Sequence, residues 1–185
     1  MTVPSYEDYT ELIHKRQTVR HFTDRVPTKE EIEKVITAAL KAPQPWKFHV
    51  VQDKEMIQKI SSNTVEKATQ AVIDRIMAGL GFTEPVEEPV FYGAPTVITI
   101  TWSAGMGGSK GLDIGLAVMQ LELAATTLGM GTINAGFSGM SNDMTRELLQ
   151  LPEDEEIIVN VGIGFPERTE PTQPRFTLDE RVTYH

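Results

Sequence analysis

The chain of 185 residues contains no cysteine. That absence excludes disulfides, thiolate nucleophiles, iron–sulfur ligation and thiolate zinc sites together, and it fits a reducing, intracellular setting. No apolar run approaches the roughly 20 residues that a membrane-spanning helix needs. The opening stretch MTVPSYEDYTELIHKRQ has no basic leader followed by an apolar segment, so a cytoplasmic protein with no membrane partner is expected. Positive charge is also scarce. Lys and Arg number 17 against 26 Asp and Glu, a formal net charge of -9, which disfavours a nucleic-acid partner because phosphate-backbone binding needs clustered cations. His14, His21, His49 and His185 show no metal-ligand spacing, so no metal is expected.

What is present is the pattern of one domain, expected to span residues 1–185, long enough to bury its own core. Thr28 and Glu31 form a capping-box pattern after Pro27, with Ile32, Val35, Ile36, Ala39 and Leu40 on one helical face. Residues 47–52 predict a strand, residues 53–60 and 64–80 two helices, and the Pro- and acid-containing stretch 81–93 a mobile surface loop able to cover a ligand. Residues 96–102 predict a strand buried on at least one side, 105–111 a loop, and 112–128 a helix apolar nearly all round, packed closely by neighbours. A strand over 131–136, an N-capped helix over 141–150 and a strand over 156–164 follow, the last with Ile157, Val159, Val161 and Ile163 facing together. Pro166, Pro171 and Pro174 extend the tail against another surface. Strands alternate with more abundant helices, which predicts an α+β fold with a helix-clad sheet.

One short basic segment stands out. If residues 16–20 are extended, Arg16, Thr18 and Arg20 share a face, because alternate side chains do. Two guanidinium groups and a hydroxyl suit a phosphate; taken alone, a solvated basic patch accounts for them better.

The order of motifs along nearly the whole chain changes that balance. Arg16-Gln17-Thr18-Val19-Arg20 followed by Phe22, Ala42-Pro43 and then Gln44-Pro45-Trp46-Lys47-Phe48, Tyr92-Gly93-Ala94-Pro95, the Ala-rich stretch 113–131 ending in Gly129-Met130-Gly131, and Val161-Gly162-Ile163-Gly164-Phe165-Pro166 together resemble the nitroreductase-like family of FMN-dependent NAD(P)H oxidoreductases. Thr18 stands where the family has Ser. Pro43 runs directly into Gln44, where the family usually carries a few extra residues that reach the flavin from the neighbouring subunit.

The resemblance implies a central, mostly antiparallel sheet clad by helices, an extended C-terminal tail and a homodimer with flavin at the subunit interface. It implies that Arg16, Gln17 and Thr18 hold the phosphate and ribityl chain of FMN, that Arg20 lies near the pyrimidine edge, and that Pro43 and Gln44 lie beside the cofactor. It likewise places Asn134, Ala135 and Gly136 along the ring and Arg175 at the phosphate. No catalytic acid or base is required, since hydride passes from NADH or NADPH through the flavin to a nitroaromatic, quinone or similar small electron-poor acceptor by a ping-pong mechanism. Phe137, residues 81–93 and Trp102 are candidates for the acceptor pocket, with a core role preferred for Trp102. The shortened junction leaves two alternatives, a flavin-binding or flavin-scavenging protein without turnover and a relative that has lost flavin.

Other signals have bland readings. Gly105, Gly107, Gly108, Lys110 and Gly111 lack the ending and spacing of a phosphate loop. Gly129 and Gly131 follow a helix, where a dinucleotide fingerprint must precede one. The acids Glu153, Asp154, Glu155 and Glu156 are expected in a solvated turn, and Met106, Met119, Met130, Met140 and Met144 as core filling.

Overall fold

The computed structural model describes residues 3–43, 46–82, 86–103, 109–169 and 175–185. Two N-terminal helices, α1 (Tyr6–Lys15) and α2 (Lys29–Ala39), are followed by β1 (Trp46–Val51), α3 (Lys54–Lys67), α4 (Gln70–Gly79) and β2 (Thr96–Ser103). The long helix α5 (Lys110–Thr127), β3 (Gly131–Asn134), a 3-10 helix (Gly136–Ser141), α6 (Asn142–Leu148), β4 (Glu155–Gly164) and the short α7 (Leu178–Arg181) complete the order. The expected capping box at Thr28 forms. Its hydroxyl accepts from the Glu31 amide while the Glu31 carboxylate accepts from the Thr28 amide, and Ile32, Val35 and Ala39 are buried while Leu40 is exposed.

The four strands lie in the order β1-β2-β4-β3, and every neighbouring pair is antiparallel. The expected α+β architecture, a mostly antiparallel sheet clad by helices, is therefore the observed one. On one face, Ile98, Ile100, Trp102, Val161 and Ile163 pack with α2 and α5 through Val35, Ala117, Leu121 and Ala125. On the other, Val51 and Val97 meet Ile57 and Ile60 of α3, with Val90, Phe91 and Ala135. Burial on both faces explains why β2 shows no outward-facing position until Ser103.

Several boundaries and faces differ from expectation. Helix α3 runs on to Lys67, with Thr64 buried inside it, and breaks at Ala68 and Thr69, where neither Pro nor Gly marks the stop. A β-bulge sets Ile100 opposite Val159 but Thr101 opposite Ile157; the extra residue turns Ile157 away from the face of Val159, Val161 and Ile163. Ser141 does precede α6 but makes no cap bond. Its hydroxyl instead accepts from Thr64 at 2.8 Å and donates to Asn63 at 3.0 Å, which ties α6 to α3. The stretch 86–93 is anchored: Val90 and Phe91 are buried, and the Glu88 carboxylate accepts from the amides of Val90, Phe91 and Gly93. Met130 fills the core as expected, whereas Met119 and Met140 are exposed and Met106 lies outside the described residues. The loop over 105–111 shares that limit through residue 108, while Lys110 and Gly111 already belong to α5.

Glu155 departs furthest from expectation. It opens β4 with its side chain 2% exposed, pairing with Lys47 and accepting from Thr101 at 2.9 Å beside His49 at 3.1 Å. Burial alone would raise its carboxyl, but Lys47, Thr101 and His49 outweigh it and hold the group below the ordinary carboxylate value. Among the described residues, no helix is long and apolar enough to cross a membrane.

Candidate functional site

The basic segment leaves α1 at Arg16, whose backbone is already extended. Thr18 then bridges Thr132 of β3 in parallel, and the Val19 amide donates to the Thr132 carbonyl at 2.9 Å. An extended strand sends alternate side chains to opposite sides, and here Val19 turns inward and is 5% exposed. Gly131 admits it: a Cβ there would lie 2.2 Å from Val19 Cγ2. The inward Val19 leaves Thr18 and Arg20 on the other side, as alternation predicts, but the Arg16 and Arg20 guanidinium groups reach different partners, Glu122 and Tyr92.

Arg16 and Asn134 meet through a residue that sequence reasoning passed over. Glu122, on the buried face of α5, is 5% exposed. One of its carboxylate oxygens faces an Arg16 guanidinium nitrogen at 3.4 Å, and the other accepts from the Asn134 side-chain amide at 2.8 Å. Burial raises this carboxyl above its ordinary value, and the opposing pull of Arg16 and Asn134 does not cancel that effect. A signal was available. The buried positions of α5 are 117, 118, 121, 122 and 125, a helical stripe in which Glu122 is the single charged residue, and buried charges are paired.

Arg20 turns elsewhere, with its guanidinium carbon 5.8 Å from the centroid of the Tyr92 ring. Tyr92 has a positive φ of 56°, rare for a residue with a bulky side chain, and stacks on Phe82 at 6.0 Å with the rings 19° apart. Burial raises its phenol above the ordinary value, with Arg20 opposing. Phe137 is half-buried and, like Phe82 and Tyr92, packs against the buried cluster of Ala68, Ile73 and Met77. Trp102 is a core residue, as preferred, 3% exposed and edge-on to Trp46 at 4.9 Å.

The other expected residues sit as follows. Gln17 and Thr18 are half-buried, and Gln17 borders a cavity of about 330 Å³ that Lys15 and Arg168 also line. Ala135 is buried, its amide donating to the Asn160 carbonyl at 2.9 Å. Gly136 is exposed, and a Cβ there would meet nothing within 4 Å. Pro43 stands exposed just beyond α2, and Arg175 is exposed at the start of the last described segment; neither is a partner of Glu122. Gln44 lies outside the described residues. Among the described residues, no group of three or more His, Asp or Glu side chains could hold a metal ion.

Helix α5 presents a second feature. Opposite its buried stripe, Leu112, Leu116 and Met119 are 64%, 42% and 47% exposed, with Gly115 exposed between them. The helix expected to be apolar nearly all round and packed closely by neighbours packs against α1, α2 and the sheet, while one apolar face is left exposed.

The comparisons with known proteins agree with this architecture. The chain is 28% identical over 172 residues to a protein of Archaeoglobus fulgidus provisionally named NADH dehydrogenase/NAD(P)H nitroreductase, covering 86% of each chain. It is 23% identical to an iodotyrosine deiodinase of Thermotoga neapolitana, over 89% of this chain and 92% of that one. Its structure superposes with a TM-score of 0.79 on a nitroreductase with bound FMN from Desulfitobacterium hafniense, 26% identical, covering 95% of this chain and 97% of the other. The family model described as the nitroreductase family matches residues 13–165. The chain belongs to the nitroreductase family.

Proposed function

We propose that this protein is an FMN-dependent oxidoreductase that draws hydride from NADH or NADPH and passes it to a small electron-poor acceptor such as a nitroaromatic or quinone. The observation that carries the reading is the extended segment 16–20, laid along β3 by the Val19 amide and by the contact of Val19 with Gly131. It supports Arg16, Gln17 and Thr18 as the phosphate and ribityl side of the site, beside the turn of Asn134, Ala135 and Gly136.

The donor set fits FMN. A guanidinium and a hydroxyl suit a phosphate dianion. Open space beyond Gly136 suits the close approach of a flat ring. When bound, the flavin supplies the redox chemistry, accepting hydride from the nicotinamide and delivering it to the acceptor in alternating half-reactions. The protein's own groups bind, orient and tune. Arg20, steadied by Tyr92, places a fixed cation where negative charge develops at the pyrimidine edge. Arg175 would add a further cation to the phosphate, and Pro43 would lie beside the cofactor. Phe82, Tyr92 and Phe137 offer an aromatic wall for a planar acceptor.

The uncovered stripe of α5 supports a homodimer in which the two α5 helices pack together and complete the site. The relative named iodotyrosine deiodinase makes the acceptor the most variable element of the reading.

The test is an anaerobic visible spectrum of the purified protein before and after FMN and NADH or NADPH. Flavin bands that bleach with nicotinamide are expected. Bands that form but do not bleach would replace this reading with flavin binding or scavenging without turnover, and a protein that cannot be loaded would mark a relative that has lost flavin.

A further inference from the structure

We infer that Glu122 competes with the cofactor phosphate for Arg16: it holds Arg16 until phosphate binding takes Arg16 away and draws a proton onto Glu122. The inference rests on the reading above, in which Arg16 binds the phosphate of FMN.

Three observations carry it. First, the Arg16 contact is a loose one. At 3.4 Å it is longer than the about 2.7–2.9 Å of a close charge-assisted bond, so a phosphate offering several oxygens can displace it. Second, Glu122 cannot follow Arg16 into solvent. Its side chain is 6% exposed, and Asn134 holds its other oxygen at 2.8 Å. Third, among the described residues no second cation faces Glu122 to replace Arg16. On α1, Lys15 pairs with Glu11 at the surface and His14 is exposed. The α2 residues packed with α5 are the apolar Ile32, Val35, Ile36 and Ala39, β3 brings Asn134, and α5 itself carries no other charge from residue 114 to residue 127.

A buried carboxylate that loses the cation facing it, and gains a dianion nearby, is destabilised in its charged form on both counts. Burial already acts on it in the same direction. Solvent supplies the proton; no covalent bond changes. Binding that takes up a proton weakens as pH rises, here by up to about tenfold per pH unit, since affinity follows protons bound as stability does.

Titration calorimetry of the flavin-free protein at pH 7.0, in two buffers of different ionisation enthalpy, counts the protons. That pH is about one unit above the second phosphate pKa of about 6, so few phosphates have a proton to release. Wild-type protein is expected to take up part or all of one proton with FMN and none with riboflavin, which lacks the phosphate. Glu122→Gln is expected to bind FMN as tightly as wild type, or more tightly, and to show no uptake. FMN binding without uptake, equal uptake with riboflavin, or uptake that persists in Glu122→Gln would overturn the inference and leave the flavin reading standing. Wild-type protein that binds no FMN would overturn both. Should Glu122→Gln fail to fold, the difference between FMN and riboflavin in the wild type decides alone.

Discussion

Val19 and Gly131 lie so close that a methyl group on Gly131 would come within 2.2 Å of Val19 Cγ2 and 2.9 Å of its Cβ. The backbone of Gly131 is not in the left-handed region, so the demand for glycine is one of space. Gly131→Ala would push β3 and the segment 16–20 apart, because the stiff isopropyl group of Val19 has no flexible end to yield. Overpacking of this kind costs about 1–3 kcal/mol. A melting temperature lowered accordingly, with FMN affinity falling more than stability alone explains, is expected from paired thermal melts and flavin fluorescence titrations. An unchanged FMN affinity would separate this contact from the cofactor site.

Glu155 ties three strands together, through Lys47 and His49 of β1, Thr101 of β2 and its own position at the start of β4. Its carboxyl is held below the ordinary value of 4.5. A group lowered in the folded state adds stability above its unfolded value and loses it as pH falls through the folded one. Glu155→Gln is therefore expected to cost about 1–3 kcal/mol at pH 7, as for a buried charge pair broken at one partner that stays half-exposed. The gap from wild type should close below about pH 4.5, measured by urea unfolding across pH. A gap independent of pH would show that shape, not charge, makes Glu155 matter.

The two buried carboxylates also show where sequence reading stops. The capping box at Thr28, the alternation of β2 and the small residues of α5 are local patterns, so helices, strands and their order were legible. The segment 16–20 was legible too, because an extended chain fixes which side chains share a face. Glu155 was misread as part of a solvated acidic turn because its partners lie far away in sequence, at Lys47, His49 and Thr101. Glu122 was missed because its partners straddle a helix and a strand. The bulge opposite Ile100 leaves no local mark, and it alone reverses the face of Ile157.

Gln150 occupies a glycine's place. Helix α6 ends with the Leu151 amide donating to the Arg146 carbonyl at 3.0 Å and the Gln150 amide to Glu147 at 3.1 Å, the paired bonds of a Schellman ending, with Gln150 at φ 50°. A left-handed residue with a Cβ costs about 1–2 kcal/mol, offset in part by the greater freedom glycine has when unfolded. Gln150→Gly is expected to stabilise the protein by about 0.5–1 kcal/mol with no change in flavin binding. Chemical denaturation of the two proteins decides it, and a destabilised variant would mean that the exposed Gln150 side chain makes a contact worth more than the strain.

The apolar stripe on α5 carries the last prediction. Leu112, Leu116 and Met119 follow helical spacing, so they form one continuous patch, and Gly115 between them lets a partner backbone come near. A charge placed in the middle should separate two packed copies while leaving the single chain intact, since exposed substitutions away from other features change stability by less than about 0.5 kcal/mol. Wild-type protein is expected to sediment as a dimer and Leu116→Glu as a monomer with the same far-ultraviolet circular dichroism. FMN should leave the monomer faster if the second subunit completes the site. A wild-type monomer would remove the dimer from the proposed function. A Leu116→Glu variant that stays dimeric would move the interface to another surface, with the exposed Tyr6, Tyr9 and Ile13 of α1 as the next face to substitute.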